Sequence, residues 1–506
     1  KDRKERYVFR GGNVYQGESV EIVKEKKTDI KQRVKTKNFL RAKDGEVYKT
    51  NLICKLLTLI LNKSATLDPD GVGIEMEAGK PGWCDSLNGL PALFGSSLSE
   101  TLELKRTVTI LLSVFEYLIR QGIKEIALPI EVLKFLNKLN KTLIEFLKSE
   151  SLDKDYIYWD KSNSIKEEFR KNTFFCIEGE EEKISLINLE YFLKNLILKL
   201  NQGIKKAKDK KSGLPVTYFT FKSTEYIHNG KDIWPTAFKR KALPLSLEGV
   251  VHALRVEGKK SIHQNLVKSD LFDKALKMYR LNASYKDESL EIGRSRVFVP
   301  GWLENESIWL HMEYKYLLEL LKKGFYEEFF VDFYNCIVCF FDAKKYGRNV
   351  LENSSFIVSS AFPDKSIWGK GFVARLSGAT AELINIWIIL CLGRQPFYID
   401  KKNNFCIRFS PVINKKLFTK KKQNISFKGK DITLEKNVFA FRLFSKTLVV
   451  YHNPNLKDTY SKESSIEKVK ITFADREVFF ESGVIKPPFS FKIRDRKAER
   501  IDIYLT

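Results

Sequence analysis

Cysteine is scarce in this chain, seven in 506 residues, which excludes a disulfide framework as the source of stability. Cys336 and Cys339 form one CxxC inside the apolar run CIVCFF, and no second CxxC follows to complete a zinc site. On a helix these two share a face, and they read as buried free thiols in a reducing, cytoplasmic setting. Long apolar runs are missing too. The best candidate, residues 108–119, is interrupted by Glu116 and falls short of the roughly 18 residues a membrane helix requires. No GxxxxGK[ST] spacing supports a nucleotide loop, and no zinc spacing or aromatic ribonucleoprotein signature supports a nucleic-acid module. No secretory leader is visible, and the opening KDRKERYVFRGGNVYQGESVEI reads as mid-domain sequence, so a preceding portion of the protein is expected.

What is present is basic. Lys and Arg number 88 against 63 Asp and Glu, a net charge of +25. Such a field attracts polyanions, yet the cations are spread along the chain and mixed with acids. Short runs such as KKLFTKKK are isolated, so we read a lysine-rich solvated surface without a nucleic-acid partner. With 43% hydrophobic residues the chain can bury a large core.

Apolar spacing predicts helices over residues 49–61, 102–120, 130–148, 184–206, 247–255, 308–323, 326–341 and 380–392, with a shorter one over 270–279. Ser97 and Ser99 are N-cap candidates for the second, and Gly122 ends it. Residues 7–10 and 19–23 are strand-like, and 209–230 read as turn-rich with a few strand signals. After about residue 398 the pattern changes to alternating β-branched and aromatic segments, which predicts an all-β domain. Paired helices joined by long loops suggest an α/α barrel, although helical packing alone does not separate that from a solenoid.

One stretch stands out, residues 68–106, with six glycines between Gly71 and Gly95. Glycine costs backbone entropy in a helix or strand, so a long loop so rich in it and in carboxylates is a candidate working site. Within it lie Glu75, Glu77, Trp83, Asp85 and Asn88. A general acid must stay protonated near neutral pH. An indole at i−2 and the acids Glu75 and Glu77 would each raise Asp85. The plain alternative is an Asp capping a turn. A second constellation is ENESIWLH. Placed on one helix, Glu304, Ser307, His311 and Lys315 form a single polar stripe, and His311 could donate to an anion. A satisfied core or surface histidine is the plain alternative. The third is RLSGAT ahead of the last long helix, where Arg375, Ser377, Gly378 and Thr380 suit an anion at a helix start, or ordinary capping. One acid plus an anion pocket describes phosphorolysis better than hydrolysis, because an inverting hydrolase needs a second carboxylate.

These residues resemble a family. GWCDSLN is similar to the WND-x-LN segment of the inverting β-glycoside phosphorylases typified by cellobiose phosphorylase, with Cys84 where that family carries Asn. ENESIWLH and RLSGAT resemble its phosphate-contacting segments, in the same order. The resemblance implies a mainly α chain: an (α/α)6 barrel over residues 1–398, lacking its first helices, followed by a C-terminal β-sandwich over 399–506. An N-terminal remainder would be absent from this chain or supplied separately. It implies Asp85 as general acid and His311, Arg375, Ser377, Gly378 and Thr380 as phosphate ligands. Glu75, Glu77, Trp83, Asn88, Trp302, Glu304 and Glu306 become candidates for sugar contacts. The expected activity is hexosyl transfer from a β-glucan oligosaccharide to inorganic phosphate as co-substrate, with no organic cofactor, no metal and no membrane partner. The long loops bring the pattern nearest to the β-1,3-oligoglucan phosphorylases. A homodimer is compatible with this reading. Two rivals stay open: an inverting β-glucan hydrolase with Glu304 or Glu306 as base, and an inactive carbohydrate-binding relative.

Overall fold

A computed structural model describes residues 3–19, 21, 28, 31, 39–80, 84–230, 232–373 and 378–506. The chain divides into two compact units, Lys1–Met312 with Phe356–Phe372, and Glu313–Ser355 with Val373–Thr506.

In the first unit, five long helices share one apolar core: Leu52–Ser64, Leu98–Arg120, Ile130–Lys148, Lys154–Thr173 and Leu186–Lys206. Leu61, Leu111, Phe115, Leu139, Leu143, Phe192 and Leu196 lie at its centre, each 1% exposed or less. Helical spacing of these residues puts them on one stripe per helix, and burying that stripe drives the packing. Lys154–Thr173 differs from the rest. Its buried face is Tyr158, Trp159, Ser162, Asn163 and Lys166, and the apolar pattern did not predict it.

Residues 209–230, read as turn-rich, instead begin a long antiparallel hairpin, Tyr218–Asn229 with Asp232–Ala242. The hairpin continues through Ser96–Ser97 to Ile74–Glu75, giving a four-stranded antiparallel sheet at the base of the glycine-rich loop. The short helix expected at 270–279 is a small hairpin, Phe272–Asp273 with Met278–Tyr279. Asp273 Oδ1 accepts from the amides of Ala275 and Leu276 at 3.1 Å each and closes a turn where a helix would have run on.

The Leu310–Lys322 helix has its first residues in the first unit and the rest in the second. Glu304 and Ser307 are not on it, which corrects the single polar stripe. Leu303 and Glu306 adopt φ of 48° and 57°, and Ile308–Trp309 is a strand paired with Phe356–Ile357.

The second unit carries the Tyr326–Cys336 and Gly378–Leu392 helices and every described strand from Phe397 onward. A five-stranded sheet runs in the order 438–443, 447–452, 498–505, 466–473, 477–480, and only its second and third strands are parallel. A three-stranded sheet joins Phe397–Ile399, Phe405–Arg408 and Val484–Ile485. The division expected at residue 398 falls inside this unit. Cys391 and Leu392 are buried in the same cluster as Ile407, Val449, Ile471 and Ile501, and Tyr451 Oη donates to the Cys391 carbonyl at 2.6 Å. The Gly378–Leu392 helix buries Ala379, Ile386, Ile389, Leu390, Cys391 and Leu392 and leaves Ile384 and Ile388 exposed. All seven cysteines are free. Cys336 is buried, but its helix ends there and leaves Cys339 exposed, so the two do not share a helical face. Among the described residues, no helix is long and apolar enough to cross a membrane.

Candidate active site

Asp85 opens a one-turn 3₁₀ helix, Asp85–Leu87, with its side chain exposed. The turn is anchored from below by Leu87 and Leu90, which pack with Tyr218, Leu243, Tyr285 and Ile292. It is anchored from the side by the segment 289–296. Arg294 Nη2 donates to the Asp85 carbonyl at 2.9 Å, and the Arg294 amide donates to Asn88 Oδ1 at 3.3 Å. The Ser295 hydroxyl donates to Ser86 Oγ at 2.7 Å, and the Gly89 amide to the Ile292 carbonyl at 3.2 Å. Two glycines make this approach possible. A Cβ on Gly89 would lie 1.7 Å from the Glu291 carbonyl oxygen. Gly293 has φ +122°, and a Cβ there would lie 2.5 Å from Asn88 Oδ1. Neither position tolerates another residue without moving the Asp85 turn.

The carboxylates of the loop separate into two kinds. Glu75 gives both oxygens to internal donors, Gln16 Nε2 at 2.8 Å and Trp159 Nε1 at 2.5 Å, and burial pushes its carboxyl up. Glu77 is enclosed by Arg170 at 2.5 Å, Lys80 at 2.5 Å, Lys166 at 3.6 Å and Arg6 at 3.7 Å. Burial acts to raise it, but Lys166, Arg170 and Lys80 outweigh burial and hold it well below the usual carboxylate range. Glu306, 7% exposed, accepts from Arg280 at 3.4 Å, and its amide donates to Asn282 Oδ1 at 3.3 Å. These three acids serve the fold. The side chain of Asp85, by contrast, has no hydrogen bond or ion pair among the described residues.

Glu304 feels the Asp85 charge. Burial pushes the Glu304 carboxyl up, the Asp85 charge adds to this, and Arg294 opposes it. Asp85, Arg294 and Glu304 therefore form one electrostatic group assembled from loops about two hundred residues apart. Arg294 escaped the sequence reading because a lone arginine in GRSR carries no pattern.

Asn88 is exposed beside Asp85, with its side-chain oxygen taken by Arg294. Trp302 stacks on Phe372 with centroids 3.8 Å apart and planes 3° from parallel, so one ring face is covered. His311 is half-buried and meets the Trp309 ring edge-on at 5.5 Å. Gly378 and Thr380 open a helix of the second unit, where Thr380 Oγ1 accepts from Asn353 Nδ2 at 3.4 Å. Trp83, Arg375 and Ser377 lie outside the described residues, so the indole argument for raising Asp85 and two of the anion ligands fall outside the structural description. Among the described residues, no group of three or more His, Cys, Asp or Glu side chains could hold a metal ion.

A buried ionic cluster not foreseen from sequence lies beside the loop. The Arg3 guanidinium sits 4.4 Å from the Trp159 ring and 4.6 Å from Trp234, and donates to Asp160 Oδ1 at 2.6 Å. Lys166, 1% exposed, donates to Asn163 Oδ1 at 2.8 Å, and burial draws its ammonium down to about 8. Trp159 and Lys166 ride on the Lys154–Thr173 helix and hold Glu75 and Glu77 in place.

No protein-family model matches the chain, and no curated protein matches it.

Proposed function

We propose that the chain catalyses reversible phosphorolysis of a β-glucosidic bond in a β-glucan oligosaccharide, with Asp85 as general acid. The observation that carries this reading is the contrast among the loop's acids. Glu75, Glu77 and Glu306 are committed to internal donors, whereas the Asp85 carboxyl stands open on a turn that Arg294 and Ser295 hold still. An acid catalyst must reach the leaving oxygen from a well-placed backbone, and the Asp85 turn offers one. In this reading Asp85 protonates the glycosidic oxygen while phosphate attacks the anomeric carbon from the opposite face. The C–O bond to the acceptor breaks, its electron pair takes the Asp85 proton, and α-glucose 1-phosphate forms with inversion. His311, Arg375, Ser377, Gly378 and Thr380 hold the phosphate, and Asn88, Trp302 and Glu304 contact the sugar. The (α/α)6 barrel and β-sandwich belong to the same proposal.

A hydrolytic reading has one observation in its favour, that Glu304 feels the Asp85 charge, since two carboxylates suit inversion by water. Burial raises the Glu304 carboxyl, and Arg294 works in the other direction. The test is incubation with β-gluco-oligosaccharides with and without phosphate. Glucose 1-phosphate that appears only with phosphate, and disappears in Asp85→Asn, supports phosphorolysis. Reducing sugar released at the same rate without phosphate refutes it.

A further inference from the structure

The second unit contains a cleft of about 600 Å³ between the start of the Tyr326–Cys336 helix and the segments 408–412 and 481–484. That volume is within the roughly 300–1,000 Å³ of small-molecule clefts. Its walls are fixed by backbone pairing. Arg408 faces Val484 across the Phe405–Arg408 and Val484–Ile485 ladder, and the Phe409 amide donates to the Gly483 carbonyl at 2.9 Å. Tyr460 is held by stacking on Phe330 at 5.4 Å and by Asn414 Nδ2, which donates to its hydroxyl at 3.2 Å. Tyr326 leans on Tyr460 with centroids 5.1 Å apart. The walls are therefore set before any ligand arrives.

The polar groups are a different matter, because several are unused. Tyr326 Oη, the Glu481 carboxylate and Ser410 Oγ make no hydrogen bond among the described residues. Arg408 directs one N–H to Tyr398 Oη at 3.2 Å and has others to give. One cation and one anion line the cleft, so it has no net preference for an ion. Open donors and acceptors beside two tyrosine rings and an apolar floor suit a ligand with hydroxyls along its edge and C–H groups on its face.

We propose that this cleft is a saccharide-binding site for a neutral oligosaccharide. The choice of a β-glucan as first ligand rests on the function proposed above; the cleft's chemistry does not. The probe is a series of linear β-gluco-oligosaccharides titrated calorimetrically into the full chain in phosphate-free buffer. Tyr326→Ala removes one ring, and Ser482→Trp fills the cleft from its exposed rim. Each is expected to weaken binding of the longer oligosaccharides by about tenfold, with the thermal midpoint and the rate on the shortest substrate unchanged. Three results overturn the proposal: no saturable sugar binding by the wild-type chain, both variants within about twofold of wild type, or an acidic oligosaccharide preferred over the neutral one. Cleft-dependent sugar binding without glucose 1-phosphate formation refutes the proposed reaction and leaves the cleft standing. Turnover without cleft-dependent binding does the reverse.

Discussion

Lys199 lies on the Leu186–Lys206 helix with 1% of its side chain exposed. Its ammonium is 3.5 Å from the Phe146 ring centroid, 4.0 Å from that of Tyr158 and 3.2 Å from Asp155 Oδ1. Burial lowers it from 10.5 to about 8, although Asp155 works in the other direction. The unfolded chain keeps this proton up to 10.5, while the folded chain releases it above about 8. In that window the unfolded state binds more protons, so stability rises with pH; below it both states are charged and the full penalty stands. The shift corresponds to about 3 kcal/mol. Lys199→Met removes the buried charge, keeps most of the volume and puts a thioether between two rings. Asp155 retains Lys206 as its counterion. The variant should therefore be more stable than wild type by ~1–3 kcal/mol at about pH 7. That advantage should shrink by about 2 kcal/mol at about pH 9.5. Urea unfolding at both pH values, with the slope m unchanged between proteins, measures it. A Met variant less stable than wild type near neutrality, or a difference independent of pH, refutes the reasoning. It would mean that the ring faces and Asp155 outweigh desolvation.

Other substitutions test the loop that carries Asp85. Asp68, 1% exposed, accepts from the Gly73 amide at 2.6 Å and Ser96 Oγ at 2.7 Å through one oxygen, and burial pushes its carboxyl up to about 6. In Asp68→Asn an amide NH₂ cannot accept both bonds, a loss of roughly 1–3 kcal/mol. Because the Asp68 contribution is complete below 3.8 and is lost as pH rises through about 6, denaturant titrations should show the deficit widening on acidification across that window. Gly293→Ala should push Asn88 and the Asp85 turn outward, lowering kcat by about tenfold or more, with the thermal midpoint shifted by only a few degrees. A variant with wild-type kcat would show that the placement of this turn does not matter. Glu304→Gln separates the two reactions: phosphorolysis should survive within about tenfold, whereas a hydrolytic base would cost roughly 10²–10⁴ in rate.

The helices were legible where one face is apolar. Residues 130–148 were read correctly at both ends because Val132, Phe135, Leu136, Leu139 and Leu143 recur at helical spacing into the core. The Lys154–Thr173 helix was not, because its buried face carries Ser162, Asn163 and Lys166, which periodicity scores as solvent-facing. The hairpin from Tyr218 was hidden for a related reason: the outer half of its first strand is exposed on both faces, so no alternation marks it. The glycine-rich loop could be singled out from composition, and Asp85 within it, but not which of its acids were already engaged.

The sequence by itself determined the amphipathic helices, the strand-rich tail and the identity of the unusual loop, since each follows from local spacing and backbone preference. Tertiary structure alone decided the surroundings of Asp85. Arg294, 209 residues away in the chain, pins its carbonyl, and Glu304 shares its field, while Arg170 and Trp159 take Glu77 and Glu75 out of contention. The electrostatics and hydrogen bonding of a carboxylate depend on what lies within a few ångströms, and no pattern along the chain encodes neighbours brought there by folding.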